Sequence, residues 1–256
     1  MRRFIPALLF VVLSVCACAG VTSSTTSSDA PLPTIGLGSD VGEADPIGGG
    51  VDFQMVGTNE IDTVIMVGDS STVASTPQLE EMFERFGFDS VFIESKQGKR
   101  IALSFGSNPS GVEVAEDLIK KMHAAGDTKG EGAAEDLFDH SNELWVVALG
   151  TNDIGQYSGP GESATAVDEM LQAVPDESPL VWVDTFFRDR PDATAELNVI
   201  IRNLVSQRDA SVIASWSAVA DDDGNLRNDG VHPREQGSVV FANVTGNAIA
   251  NFLQLT

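Results

Sequence analysis

Ser70, Asn152, Asp229 and His232 have the residue types and chain order that acyl transfer needs. Ser70 stands in Gly68-Asp69-Ser70-Ser71, directly after the apolar run Val64-Ile65-Met66-Val67. Asn152 stands in Gly150-Thr151-Asn152-Asp153, again just past an apolar run. Far downstream, Asp229-Gly230-Val231-His232-Pro233 puts a carboxylate three residues before an imidazole. A serine hydroxyl is a weak nucleophile until a neighbouring base takes its proton. On one tight turn, Asp229 can accept a bond from the Nδ1–H of His232, which leaves Nε2 free for that proton. Oxyanion donors are available from the Ser70 backbone N–H, the Asn152 side-chain amide and the N–H of Gly98 in Lys96-Gln97-Gly98-Lys99-Arg100. Glycine at position 98 permits close backbone approach. Taken singly, each piece has a plainer reading: Asp229-Gly230 as a turn, Asn152 as a cap, Gly98 as a turn glycine. Their order along one chain favours the catalytic reading. The Gly-x-Ser-x-Gly elbow of α/β-hydrolases is absent around Ser70.

The other two histidines offer less. His123, in Lys120-Lys121-Met122-His123, reads as a solvated helix residue, and His140 as a polar loop residue between helix and strand. Trp145, Trp182 and Trp216 read as core rather than as carbohydrate platforms. Asp221-Asp222-Asp223-Gly224-Asn225 lacks the ligand spacing of a calcium loop and reads as a solvated acidic turn. Arg188-Asp189-Arg190 follows an apolar run, so it falls near a strand end. It reads as a surface salt-bridge pair, with contact to an acidic or hydroxylated substrate as the alternative.

These residues need elements to position them. Short β-branched apolar runs predict strands over 62–67, 89–93, 144–149, 180–184 and 211–215, buried on both faces. Amphipathic periods predict helices over 77–86, 112–125, 163–173, 192–207 and 235–253, with Gly87 and Gly126 as C-caps. Strand–helix alternation predicts a flavodoxin-like, doubly wound three-layer α/β/α sandwich around a five-stranded parallel sheet. In such sheets the ligand crevice lies at the carboxyl ends of the strands, where Ser70 and Asn152 fall.

With those residues in view, the chain resembles the SGNH hydrolases, also called the GDSL esterase/lipase family. The resemblance rests on Gly68-Asp69-Ser70, Gly98, Gly150-Thr151-Asn152-Asp153 and Asp229-Gly230-Val231-His232-Pro233, and covers 61–256. It implies Ser70 as nucleophile, His232 as general base and then acid, and Asp229 as the group that orients His232. It also implies Ser70, Gly98 and Asn152 as the oxyanion hole. The wording around Ser70–Val73, Lys96–Arg100 and Asp229–Pro233 is similar to SGNH domains found with bacterial integral-membrane sugar acyltransferases. No multi-span membrane portion accompanies it here, so the domain is expected to act alone or with a separate partner.

Residues 1–19 carry Arg2-Arg3, an apolar stretch from Phe4 to Val15 and small residues from Cys16, the pattern of an export signal. Cys18 after Ala17 resembles a bacterial lipobox, which implies a lipidated N-terminus; cleavage after Ala19 is the competing reading. Residues 20–60, rich in Ser, Thr, Gly and Pro, read as a flexible tether. The only two cysteines lie in the cleavage zone, so the domain holds no internal disulfide and no Cys metal site. Fifteen Lys and Arg against 38 Asp and Glu give a net charge of −23. That excess argues against nucleic acid and against peripheral attraction to anionic lipid.

The expectation is an exported, lipid-anchored serine esterase acting on short-chain, O-acetyl esters of carbohydrate. It is monomeric, with membrane contact only through the anchor, and no metal or organic cofactor is implied. One rival is an O-acyltransferase using the same residues on envelope glycans. Another is a non-catalytic surface lipoprotein that binds glycans, against which the full set of nucleophile, base and orienter speaks.

Overall fold

Each inner strand splits its apolar side chains between two cores. A computed structural model describes residues 61–126, 140 and 142–254. The predicted export segment 1–19, Cys18 and the predicted tether 20–60 lie outside the described residues, as does the side chain of His123. Five parallel strands form one sheet: β1 (Thr63–Gly68), β2 (Ser90–Ser95), β3 (Glu143–Ala148), β4 (Leu180–Val183) and β5 (Ser211–Ala214). Their order in space is β2-β1-β3-β4-β5, the flavodoxin-like arrangement expected from the alternating pattern.

Strand side chains alternate between faces. Val64, Met66, Leu144, Val146, Val181 and Val183 enter one core; Ile65, Val67, Trp145, Val147, Leu180 and Trp182 enter the other. The first core is closed by α1 (Ser70–Phe86) and α5 (Glu235–Leu253), which pack on each other. The second is closed by α2 (Gly111–Gly126), α3 (Pro160–Ala173) and α4 (Pro191–Val205). This gives the three layers. All three tryptophans are core: Trp145 and Trp182 are fully buried, and Trp216 packs edge-on against Phe241 at 5.3 Å.

Two local expectations need correction. The first helix starts seven residues before the predicted 77, because Asp69 caps it and the turn from β1 is immediate. Pro77 is carried inside, at the cost of one N–H donor. The second strand is not buried on both faces. β2 pairs only with β1, and Phe92 is 47% exposed. It is an edge strand, with a charged Glu94 of the kind that discourages edge pairing. Elsewhere the boundaries agree closely, and α5 spans 235–253 as predicted.

Candidate active site

Ser70, Gly98 and Asn152 follow the carboxyl ends of β1, β2 and β3, and Asp229 and His232 lie between β5 and α5. β1 ends at Gly68, Asp69 caps α1, and Ser70 is the first helical residue. Asp69 Oδ1 accepts from the Ser71 N–H at 2.9 Å, and the Asp69 N–H donates to the Ala148 carbonyl at 3.2 Å. The turn is therefore tied to its own helix and to the end of β3. A Cβ on Gly68 would lie 2.0 Å from Thr72 Oγ1, so this crossing admits only glycine. Ser70 is 6% exposed. Burial lifts the Asp69 carboxyl to about 6, against the opposing pull of the Ser71 N–H, Thr151 and the charge of His232. That influence puts His232 in electrostatic range of the residue next to Ser70.

The segment bearing Asp229 and His232 is a closed loop between β5 and α5. The Arg227 N–H donates to the His232 carbonyl at 2.8 Å, and Leu226 bridges Pro233. Within it, Asp229 Oδ1 accepts from the Val231 and His232 N–H groups, both at 3.0 Å. Asp229 Oδ2 lies 3.0 Å from His232 Nδ1. The spacing thus produces the pairing expected from it. Partial desolvation pushes the Asp229 carboxyl up, but the His232 and Val231 N–H bonds and the His232 side chain outweigh it and hold it at about 2. Side-chain exposures of 37% for His232 and 48% for Asp229 leave the pair open to solvent. Among the described residues no hydrogen bond joins Ser70 Oγ to His232. Such contacts commonly tighten only when substrate is bound.

Two of the three predicted oxyanion donors share one groove, and Ser70 is not among the residues that line it. Gly98 and Asn152 both line an open cleft of about 280 Å³. Gly98 has φ +73°, a left-handed conformation that favours glycine. Asn152 Nδ2 donates to the Lys99 carbonyl at 3.1 Å and, at the 3.5 Å limit, to Asp69 Oδ2. Asp153 had no assigned role in the sequence, yet it holds this wall in place. It is buried, its two carboxylate oxygens each lie 3.1 Å from the Ile101 N–H, and it accepts from Tyr157 Oη at 2.7 Å. Burial raises its carboxyl to about 7, against the lowering effect of the Tyr157 and Ile101 bonds. The residue type next to Asn152 was the only signal for it, since its partner is distant in sequence.

The loop after β4 separates two arginines that look equivalent in sequence. Arg188 pairs with Asp221 at 2.6 Å, and its N–H donates to the Gly230 carbonyl at 3.0 Å, bracing the Asp229 loop. Arg190 instead lines the groove with Gly98 and Asn152. Asp184, at the end of β4, accepts from the Ser217 N–H and hydroxyl, both at 2.7 Å, and fixes the chain beyond β5. His140 lies apart from this rim. It is buried and its Nδ1 sits 2.8 Å from Glu143 Oε2, a structural pair rather than an open loop residue. Among the described residues no group of three or more His, Cys, Asp or Glu side chains is arranged to hold a metal. Nor is any described helix long and apolar enough to cross a membrane.

Solved structures share this fold. The catalytic domain of Streptococcus pneumoniae peptidoglycan O-acetyltransferase A, carrying a methylsulfonyl adduct, superposes with a TM-score of 0.51 at 14% identity. That match covers 76% of this chain and 96% of that one. TesA gives 0.53 at 16% identity, covering 74% and 99%. A Clostridium thermocellum family 3 carbohydrate esterase gives 0.52 at 16% identity, covering 75% and 96%. No curated protein matches the chain. The model of the GDSL-like lipase/acylhydrolase family matches residues 66–240, from within β1 to within α5, and the chain belongs to that family of esterase-type SGNH hydrolases.

Proposed function

We propose that the protein is a serine esterase that cleaves short-chain acyl esters, O-acetyl esters foremost, on a carbohydrate alcohol. The observation that carries this reading is the Asp229–His232 contact at 3.0 Å, which leaves Nε2 of His232 free. It lies in electrostatic reach of Asp69, beside a serine at a helix N-terminus. In this reading His232 Nε2 takes the Ser70 hydroxyl proton as Oγ attacks the ester carbonyl carbon. The oxyanion is met by the N–H groups of Ser70 and Gly98 and the Asn152 amide. His232 then returns the proton to the leaving alcohol oxygen, and an acyl-Ser70 ester remains. A water that gives its proton to His232 releases the acid and restores the serine.

A second reading replaces that water with a sugar hydroxyl, making the protein an O-acyltransferase. The open cleft of about 280 Å³ beside Asn152 supports it by leaving room for an acceptor, and the fold is shared with an O-acetyltransferase catalytic domain. Either enzyme would be exported and held at the cell envelope by a lipidated Cys18, a reading supported by the N-terminal pattern alone.

The test is release of p-nitrophenol from the acetate, butyrate and octanoate esters by the purified protein and by Ser70→Ala. Wild type is expected to prefer acetate, and the variant to lose activity by about 10³-fold or more. Equal rates in two folded proteins would remove Ser70 from the reaction. Faster acyl transfer to an added oligosaccharide than to water would favour the second reading.

A further inference from the structure

We propose that Arg100 and Arg190 form a subsite for an anionic oxyacid group, carboxylate or phosphate, on the alcohol portion of the substrate. This deepens the esterase reading above and rests on it for the substrate's ester.

The two arginines come from different loops, β2–α2 and β4–α4, and both line the groove that holds Gly98 and Asn152. Each guanidinium lies over a phenylalanine of the same groove. Arg100 is 5.2 Å from the centre of the Phe105 ring, and Arg190 is 5.8 Å from that of Phe187. A ring face beneath a guanidinium limits its freedom and shields one side of it. The planar N–H fork stays available for a carboxylate or phosphate, which it can grip with two parallel bonds.

Among the other six described arginines, three are paired with a carboxylate and Arg85, Arg227 and Arg234 are not. Arg188, Arg202 and Arg208 each pair with a carboxylate, those of Asp221, Asp184 and Asp176. Among the described residues neither Arg100 nor Arg190 has such a partner, although acidic residues outnumber basic ones 38 to 15. Arg190 Nη1 donates only to the Ile154 carbonyl, at 3.3 Å. Asp153 is a carboxyl that Arg100 influences electrostatically, and burial lifts it to about 7, which leaves it largely uncharged in mildly acidic conditions. Two cations without counterions beside the candidate oxyanion donors suit a ligand that brings its own negative charge.

The net charge of −23 opposes such a ligand at long range. Salt screens that repulsion beyond about 8 Å at physiological ionic strength. Recognition therefore falls to short-range, charge-assisted hydrogen bonds in the groove. Exposed Phe105, at 66%, adds an apolar face of the size a sugar ring covers.

The experiment compares kcat/KM for three O-acetylated methyl glycosides on the full-length protein: glucoside, glucuronide and glucoside 6-phosphate. The expected preference for an anionic substrate over the neutral one is about tenfold to a hundredfold. Arg100→Gln and Arg190→Gln should each cut that ratio to a few-fold. Arg190→Lys, which keeps charge but loses the fork, should fall between. Lys120→Gln, on the exposed face of α2, should keep the wild-type ratio. Whichever of glucuronide and phosphate is preferred identifies the group. A wild-type ratio near one, or a preference that survives both glutamine variants, overturns the subsite. If wild type cleaves none of the three and no p-nitrophenyl ester, the esterase reading has failed. The subsite is then judged by calorimetric binding of the unacetylated glycosides, where equal affinity for neutral and anionic forms overturns it.

Discussion

Asp153→Asn tests how the wall of the candidate oxyanion hole is held. In the native protein Asp153 is 1% exposed and burial lifts its carboxyl from 3.8 to about 7. The folded state therefore keeps a proton on this group over a range where the unfolded chain has already lost it. With the folded value raised, the sign is the reverse of the usual carboxylate case. Stability from this group is fully present below about pH 4 and is lost as pH rises toward and through 7. The gap spans roughly three pH units, each worth about 1.4 kcal/mol, so its full expression is about 4 kcal/mol. Asp69, lifted to about 6 by burial, adds in the same direction, and its charge raises Asp153 further. Asp229, held at about 2, acts oppositely, but only below about pH 4. Asparagine keeps an oxygen for the Ile101 N–H and cannot ionise. Urea unfolding at pH 5 and pH 8 should thus show wild type losing about 2 to 4 kcal/mol more than Asp153→Asn across that interval. Equal losses in the two proteins would mean that Asp153 is ionised in the fold, and would refute the argument.

Two further outcomes follow from the site. Asp229→Ala removes three hydrogen-bond acceptances at once but takes away a carboxylate that is 48% exposed and therefore screened. Its kcat/KM on p-nitrophenyl acetate should fall about 10²- to 10³-fold, short of the roughly 10⁴-fold known for a buried triad aspartate; a loss under tenfold would exclude it as the orienting group. Gly98→Ala meets open space, with Asn108 Nδ2 at 3.8 Å, yet must adopt φ +73°. It should lower stability by about 1 kcal/mol and reduce kcat more than it raises KM. An unchanged kcat would take the Gly98 N–H out of the reaction.

What could be read directly was whatever depends on near neighbours in the chain. The Asp229–His232 contact is an i,i+3 relation on one turn, and the 3.0 Å geometry follows from the residues between them. The buried strands were legible for the same reason, since continuous apolar runs such as Leu144–Ala148 need a covered sheet on both sides. So were α5, the core tryptophans and the placement of Ser70 and Asn152 on the carboxyl rim.

Other features arise only from the packing of distant segments. Phe92 looked as buried as Met66, and it is exposed because β2 happens to lie at the sheet edge. Asp153 meets Ile101 across 52 residues, and Asn152 meets Lys99 across 53, because β1 sets the loop after β2 beside the end of β3. Arg188 and Arg190 are two residues apart, yet one braces the Asp229 loop while the other enters the groove. Desolvation is likewise a property of the assembled rim, so no residue-by-residue reading could have lifted Asp69 and Asp153. The sequence by itself determined which groups are present, their order and the Asp229–His232 dyad that short spacing builds. The tertiary structure decided which of them are buried, which charges are left unpaired and what shares the groove, because those depend on strand order and on surfaces that meet only after the sheet has closed.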